Sequence, residues 1–430
     1  MTVDKWVECL IYKSRALERI GEREKALELA QQVEAEAPTI NPILSLGLKV
    51  AQVYPLCRLH RQKEGLKVIT KGDTILQSLS LAEQKQGAYW VAKFYNVKAG
   101  FVEVDKGDLD KALEYYHKGL TLAETTKSLD LITTILHNIG VTYSGKAEID
   151  NALRYYQRCL NLDDEVGNPL GTAFLLLSIG SLYRQKDELD LSFEYLERSL
   201  ALWESIGDNQ LISDVLFNLL LSAFTQQDQI KAQTYLVRLN DLHEKNPKAI
   251  FSLKSRLAEA LILKMSPRAK DKFKAQEILA TIVSETDSQE MKLIAMTQLC
   301  ELLLIELKIF GEKEVLQEAK GILQKFEEMG QLSKSFYITV EALVLQAKLA
   351  MIEGDFQGAF RNFDQAYQMA NEKNLNLLVK QVEQERERFE TEYSKWQGLI
   401  QSDSSLAQRI EFAQMEEYVR EAQKLKGLMK

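Results

Sequence analysis

A block of about forty residues recurs four times in the middle of this chain without a gap. The second and third copies read "IGVTYSGKAEIDNALRYY" and "IGSLYRQKDELDLSFEYL". Aligned on their small or apolar first residue, the four copies start at Gly100, Gly140, Gly180 and Leu220. A fixed period in this range predicts an array of identical supersecondary units, each too small to bury its own apolar face.

Each repeat reads as a helix, a short turn and a second helix. Apolar residues recur at helical spacing on both sides of polar turns such as "KGDLDKAL" (106–113) and "EGDFQGAF" (353–360), and strand-like alternation is almost absent. Asp108 and Asp355 stand where a side-chain oxygen can accept from the free N–H groups of the second helix. The sequence therefore predicts an all-α fold.

Weaker copies flank the four clear ones. They extend the array over residues 1–373, with the strongest repeats in 94–245 and irregular ones with longer turns in 250–330. We expect about nine helix pairs in total.

Glycine at position 140 has a structural explanation. It costs about 1 kcal/mol against alanine inside a helix, but it lets two antiparallel helices approach closely. We expect Gly140 to lie at the crossing of its hairpin, facing Ala152 of the second helix.

The pattern resembles the tetratricopeptide repeat. The family motif of Gly, Tyr, Ala, aromatic and Ala is visible in "IGVTY…A…Y" and "IGSLY", and Pro38 supplies one terminal proline. The period of about forty is similar to the extended repeats of kinesin light chains, Pins-type scaffolds and some bacterial signal-responsive regulators. The resemblance implies a right-handed α-solenoid with a concave groove lined by the first helices.

Composition restricts the partners and the compartment. The net charge of −8 argues against a general basic surface for nucleic acid, and the four cysteines (9, 57, 159 and 300) are far apart, as in a reducing compartment. The longest apolar stretch, "LISDVLFNLLLSAF", is too short and too polar to span a membrane. We expect a cytoplasmic protein that binds neither nucleic acid nor membrane directly.

Residues 374–430 follow the repeats and read as two amphipathic helices. One interpretation is a cap over the exposed end of the array. The other is a coiled-coil contact in a homodimer.

No pattern of catalytic, cofactor-binding or metal-binding residues emerges. "GVTYSGKA" (140–147) approaches a phosphate-binding loop, but it follows a helix and Ala147 replaces the hydroxyl residue that would hold Mg²⁺. The four histidines show no metal-ligand spacing. An enzyme is therefore not expected.

The alignment of the repeats on their first residue defines a repeat frame, in which certain positions of each first helix are predicted to face the groove. Those predicted to bind a peptide are Phe94, Val97, Lys98, Phe101, His137, Asn138, Val141, Phe174, Ser178, Arg184, Phe217, Asn218, Leu221 and Phe224.

Two kinds of side chain make this face a candidate binding site. Five phenylalanines would form an exposed apolar surface, which usually marks a binding site. Asn138 and Asn218 share one frame position, and an amide can bond the backbone of any extended peptide; the resemblance to kinesin light chains and Pins-type scaffolds implies the same role. The alternative is that the phenylalanines are buried filler between neighbouring repeats.

Two functions from different classes follow. The first is a non-catalytic adaptor that docks a peptide or an amphipathic helix in the groove. The second is a regulatory sensor that responds to a small ligand or peptide and controls an effector such as a transcription factor.

Overall fold

The described part of the chain is helical throughout and contains no strand. The computed structural model describes residues 2–37, 39–59, 61–106, 108–146, 148–245, 249–310, 313–333, 336–372, 379–380 and 382–390. The first nine helices are α1 (Val3–Arg19), α2 (Arg23–Glu36), α3 (Pro42–Arg58), α4 (Gln62–Ser78), α5 (Leu81–Gln86), α6 (Ala88–Lys106), α7 (Leu109–Thr126), α8 (Leu129–Gly145) and α9 (Ile149–Val166). The next ten are α10 (Pro169–Gln185), α11 (Leu189–Ile206), α12 (Asn209–Thr225), α13 (Gln229–Lys245), α14 (Ala249–Met265), α15 (Ala269–Glu285), α16 (Gln289–Phe310), α17 (Lys313–Ser333), α18 (Phe336–Glu353) and α19 (Phe356–Glu372).

The helices form two compact units, and consecutive helices within each unit pack into hairpins. The N-terminal unit comprises Met1–Gly145 and Ile149–Gly171, and the C-terminal unit comprises Lys146–Glu148 and Thr172–Lys430. The all-α prediction is confirmed, as is the helix–turn–helix reading of the repeats.

The predicted helix caps are present. The Oδ1 atom of Asp108 accepts a hydrogen bond from the backbone N–H of Lys111 at 3.0 Å, and that of Asp355 accepts from Gly358 at 2.8 Å. In another hairpin, α11 ends at Ile206, and the next residue, Gly207, has a φ of 82°, in the left-handed region. Glycine suits that position because a side chain is strained there.

Gly140 lies at the helix crossing of its hairpin, as predicted, but the atoms nearest to it belong to the ring of Tyr156 and none of them to the expected Ala152. A Cβ atom built on Gly140 would overlap that ring, which is 3% exposed. Gly180 repeats the arrangement, since its Cβ would lie 2.6 Å from Cγ of Leu196. The glycine thus makes room for the large side chain sixteen residues later.

The segment 140–145 belongs to α8 and forms no phosphate-binding loop. Separately, no helix among the described residues combines the length and the apolar character that crossing a membrane requires.

Residues 382–390 pack against the last hairpin. Phe389 is 2% exposed, and its ring lies 4.6 Å from that of Phe360 and 5.8 Å from that of Phe363, measured between centroids. Arg386 also pairs with Asp364 at 2.6 Å. These contacts favour the capping interpretation for this part of 374–430, while 373–378, 381 and 391–430 lie outside the described residues.

Glu103 occupies the frame position that holds tyrosine in the next two repeats. Its Oε2 atom accepts hydrogen bonds from the hydroxyls of Thr142 at 3.2 Å and Tyr116 at 3.4 Å. Burial raises the pKa of this carboxyl above its ordinary value, and the two hydrogen bonds offset only part of that effect.

We expect Gly140→Ala to lower the free energy of unfolding by about 1–3 kcal/mol, because the buried Tyr156 ring must shift to admit the methyl group. Gly321→Ala in α17 is the control. A Cβ there meets no atom within 4 Å, so the helix should gain about 1 kcal/mol. Urea unfolding measures both, and equal stabilisation by the two changes would contradict the crossing.

The raised pKa of Glu103 predicts that Glu103→Gln stabilises the protein at neutral pH. A carboxyl with a raised folded-state pKa contributes stability below its unfolded pKa, near 4.5, and that stability is lost as the pH rises through the folded pKa. The advantage of the variant should therefore be small near pH 4 and grow toward pH 7. Melting temperatures across this range measure it.

Glu114→Gln is the matched control for that change. Lys111 and Lys118 hold the pKa of this exposed carboxyl to about 2, so its removal should give no such gain. A wild-type protein whose stability rises from pH 5 to pH 7 relative to Glu103→Gln would refute the assignment.

If 382–390 caps the last hairpin, Phe389→Ala should destabilise α19 by about 3–5 kcal/mol, the usual cost of truncating a buried phenylalanine. Hydrogen exchange of α19 should then speed up, whereas Arg388→Ala, at an exposed side chain, should leave it unchanged. A dimer contact predicts instead that light scattering reports a loss of dimer with normal exchange in α19.

Candidate functional site

The first helices of successive hairpins lie side by side within each unit. In the N-terminal unit α1 contacts α3, α3 contacts α6 and α6 contacts α8. In the C-terminal unit a hydrogen bond from Ser181 to Asn218 joins α10 to α12, α12 contacts α14 and α14 contacts α16. We call the surface that these first helices present the first-helix face of each unit. Side chains about forty residues apart in sequence become neighbours on it.

An amide ladder crosses the first-helix face of the N-terminal unit. Nδ2 of Asn138 donates to Oδ1 of Asn96 at 2.9 Å, and Nδ2 of Asn96 donates to the hydroxyl of Tyr54 at 3.1 Å. The sequence frame placed Asn138 here but missed Asn96, which is 3% exposed and 42 residues before it. Asn138 therefore already has an intramolecular partner, and its binding of a peptide stays a prediction.

A mixed-charge concavity lies beside this ladder. It has a volume of about 160 Å³ and is lined by Arg15, Glu18, Ala51, Tyr54, Lys93, Asn96, Asp130, Leu131 and Thr134. Burial raises the pKa of the Tyr54 hydroxyl, while Arg15 acts in the opposite direction. None of these residues is among the peptide-binding positions predicted from the four clear repeats.

The α6 residues predicted to line the groove point elsewhere. Phe94, Val97 and Phe101 are 0%, 5% and 3% exposed. Phe94 fills the space that Gly72 of α4 leaves, and a Cβ on Gly65 would lie 2.7 Å from the ring of Phe101. The buried-filler alternative therefore holds here, because two glycines seven residues apart receive two phenylalanines with the same spacing.

Lys98 also turns away from the first-helix face. Its ammonium pairs with Asp73 of α4 at 2.5 Å and lies 4.3 Å from the centre of the Tyr115 ring of α7. Both partners are on second helices. The expectation that Lys98 lines the groove therefore does not hold.

Two predicted residues of α8 are more accessible than those of α6. Val141 is 41% exposed, and His137 is half-buried with its ring 5.6 Å from that of Tyr156. Burial lowers the pKa of His137. A neutral imidazole is therefore favoured near pH 7.

In the C-terminal unit, Asn218 is the centre of a second polar network. Its Oδ1 atom accepts from the hydroxyl of Ser181 at 2.9 Å, and its Nδ2 atom donates to the backbone oxygen of Asp214 at 3.0 Å. The hydroxyl of Ser178 donates to the backbone oxygen of Phe174 at 3.1 Å. Only the bond between Ser181 and Asn218 joins α10 to α12, since the other two lie within one helix. The contact of Asn218 and Ser178 with a peptide stays a prediction.

The apolar residues predicted for this unit divide into two groups. Phe217 and Leu221 are 2% and 9% exposed, so they are filler in the core. Phe174 is 44% exposed, with its ring edge-on to Trp203 at 4.7 Å. Phe224 is half-buried, and the ammonium of Lys264 lies 5.6 Å from its ring centre. Phe174 and Phe224 thus remain available to a ligand.

Charged side chains flank these rings. Lys254 is 2% exposed and pairs with Asp214 of the neighbouring first helix. Lys264 donates to Gln298 at 2.5 Å and pairs with Glu301. Arg184, on α10, is half-buried, and its Nε atom is buried without a hydrogen-bond partner. In the described residues, no group of three or more His, Cys, Asp or Glu side chains is arranged to hold a metal ion.

Comparisons with known proteins agree with this arrangement. The family model of the tetratricopeptide repeat matches residues 90–165. The sequence matches no curated protein.

Several solved structures share the fold along almost their whole length. A Rap protein complexed with Competence and Sporulation Factor is 14% identical, with 87% of this chain and 99% of that chain covered and a TM-score of 0.57. The apo form of RapI is 14% identical, with 86% and 98% covered and a TM-score of 0.60. The apo form of the quorum sensor NprR from B. thuringiensis is 13% identical, with 86% and 99% covered and a TM-score of 0.55.

At these identities the likeness is one of fold. Together with the family model and the helix hairpins on both sides of the matched region, it identifies the architecture. Residues 90–165 match the tetratricopeptide-repeat model, and the chain shares its helical fold with the solved Rap proteins.

Proposed function

We propose that this chain is a non-catalytic regulator that binds a peptide on the first-helix face of its C-terminal unit. The observation that carries the proposal is the composition of that face. It combines an exposed aromatic ring at Phe174, a half-buried ring at Phe224 and the Arg184 side chain with amide and hydroxyl groups at Asn218 and Ser178. Rings supply apolar contact, and amides supply hydrogen bonds to any backbone.

The solved structures support a ligand-responsive protein more than a passive adaptor. The Rap protein with this fold was solved with Competence and Sporulation Factor bound, and NprR is described as a quorum sensor. Transfer of that role to this chain is part of the proposal.

The packing of the first helices gives a physical route from binding to response. Ser181 links α10 to α12, and the pair of Asp214 and Lys254 links α12 to α14. A peptide that lies across these helices must compete with or add to those links. The peptide will therefore shift the equilibrium toward the packing of adjacent hairpins that it binds more tightly, by as much as its affinities for the two packings differ.

The proposal predicts that the full chain selects peptides from a random phage-displayed library and that Phe174→Ala lowers their affinity at least about tenfold, the equivalent of losing about 1.4 kcal/mol. Phe273→Ala is the matched control. Phe273 is also 44% exposed but lies on α15, a second helix. Isothermal titration of the selected peptides measures both variants.

The outcomes separate the hypotheses. Peptides that bind the wild type and Phe273→Ala but not Phe174→Ala support the proposal. Failure to select any peptide overturns it, as does equal loss in both phenylalanine variants. A regulator further requires that the peptide change hydrogen exchange in α14 as well as in the helices it touches, whereas a rigid adaptor would show protection at the contact alone.

A further inference from the structure

Arg184 differs from three lysines on other first helices of the C-terminal unit, Lys254, Lys264 and Lys348. Lys254 and Lys264 each pair with a carboxylate of an adjacent first helix, and Lys348 of α18 pairs with Glu385 at 3.0 Å. Arg184 makes neither an ion pair nor a hydrogen bond within the described residues. Its Nε atom is buried without a partner.

The surroundings of Arg184 offer it little compensation. Burial lowers its pKa, and the one carboxylate that acts on it, Glu290 of α16, opposes this only at a distance. A buried hydrogen-bond donor without an acceptor costs free energy, more so when it carries charge. The fold therefore leaves the hydrogen-bonding capacity and the charge of the Arg184 guanidinium incompletely satisfied.

The guanidinium remains reachable. Of its nitrogens, only Nε is among the buried atoms without a partner, and the residue as a whole is half-buried, so the terminal nitrogens meet solvent. A carboxylate can accept N–H bonds from both terminal nitrogens of a guanidinium. Such a group would supply the counter-charge that the described residues do not.

The neighbouring residues define what else such a ligand would meet. Position 184 has the same register on α10 as Phe224 on α12 and Lys264 on α14, each forty residues apart. Lys264 is already paired with Glu301, so it adds no second unpaired cation. The site therefore suits one carboxylate next to an apolar or aromatic group, and it does not suit a multiply charged anion.

We propose that Arg184 determines specificity by binding a carboxylate of the peptide, either an Asp or Glu side chain or the chain terminus. The inference rests on the proposed function and names the chemistry that its site selects.

The test uses the peptides selected by the full wild-type chain. We expect an acidic residue or a free C-terminus at one fixed position of their consensus. The probes are the selected peptide, its Asn or Gln analogue at that position, and its C-terminal amide, and the last two distinguish a side chain from a terminus.

Arg184→Gln should weaken the carboxylate peptide at least about tenfold, the range of a charge-assisted hydrogen bond, and leave the neutral analogue unchanged. Arg198→Gln is the control. That arginine lies on α11 with an exposed side chain 3.8 Å from Glu194, so both peptides should bind the variant like the wild type.

A second measurement needs no peptide. Arg184→Met keeps the aliphatic stem and removes the charge, so the melting temperature should hold or rise if the guanidinium is kept for a ligand. A fall in melting temperature would overturn the inference, because it would give Arg184 a structural role.

The two proposals fail in different ways. Without any selected peptide, the proposed function fails and the inference with it. Peptides without a carboxylate, or equal affinity of Arg184→Gln for the acidic and neutral peptides, overturn the inference alone.

Discussion

The close approach of the two helices in each hairpin is the constraint on which the rest of the structure depends. At Gly140 and Gly180 the absence of a side chain admits Tyr156 and Leu196 from the second helix. One side of the first helix therefore packs against the second helix of its own hairpin. A second side of α6 packs against the preceding hairpin, where the Phe94 ring lies against Gly72. What remains of each first helix is the strip that forms the first-helix face.

Some polar groups on that strip join one hairpin to the next. The ladder from Asn138 through Asn96 to Tyr54 does so in the N-terminal unit, and the bond from Ser181 to Asn218 does so in the C-terminal unit. Each such bond contributes about 0.5–1.5 kcal/mol. A face built in this way is both a candidate surface for a ligand and part of the packing that a ligand would alter.

A site of this kind carries a cost in stability. Most buried polar groups in proteins have a partner, so a buried guanidinium nitrogen without one calls for an explanation. Functional sites are where unsatisfied groups are expected, since optimising them for the free protein would remove their affinity for a ligand. In the C-terminal unit, Arg184 meets that description, while the paired Lys254 does not.

The sequence by itself determined the helix hairpins, their period, the caps at Asp108 and Asp355 and the helix crossing at Gly140, though not the residue that packs against it, because these depend on local spacing and on one small residue at a fixed position. It located Asn138, Phe174 and Arg184 on first helices for the same reason. Only the tertiary structure decided which side of each first helix is covered. Phe94 and Phe217 share a helix face with groove positions, yet neighbouring helices bury them, and Asn96 becomes a neighbour of Asn138 although the frame did not pair them. Burial depends on the volume that adjacent hairpins leave, as Gly65 and Gly72 leave it for α6, and a repeat pattern within one hairpin contains no information about that volume.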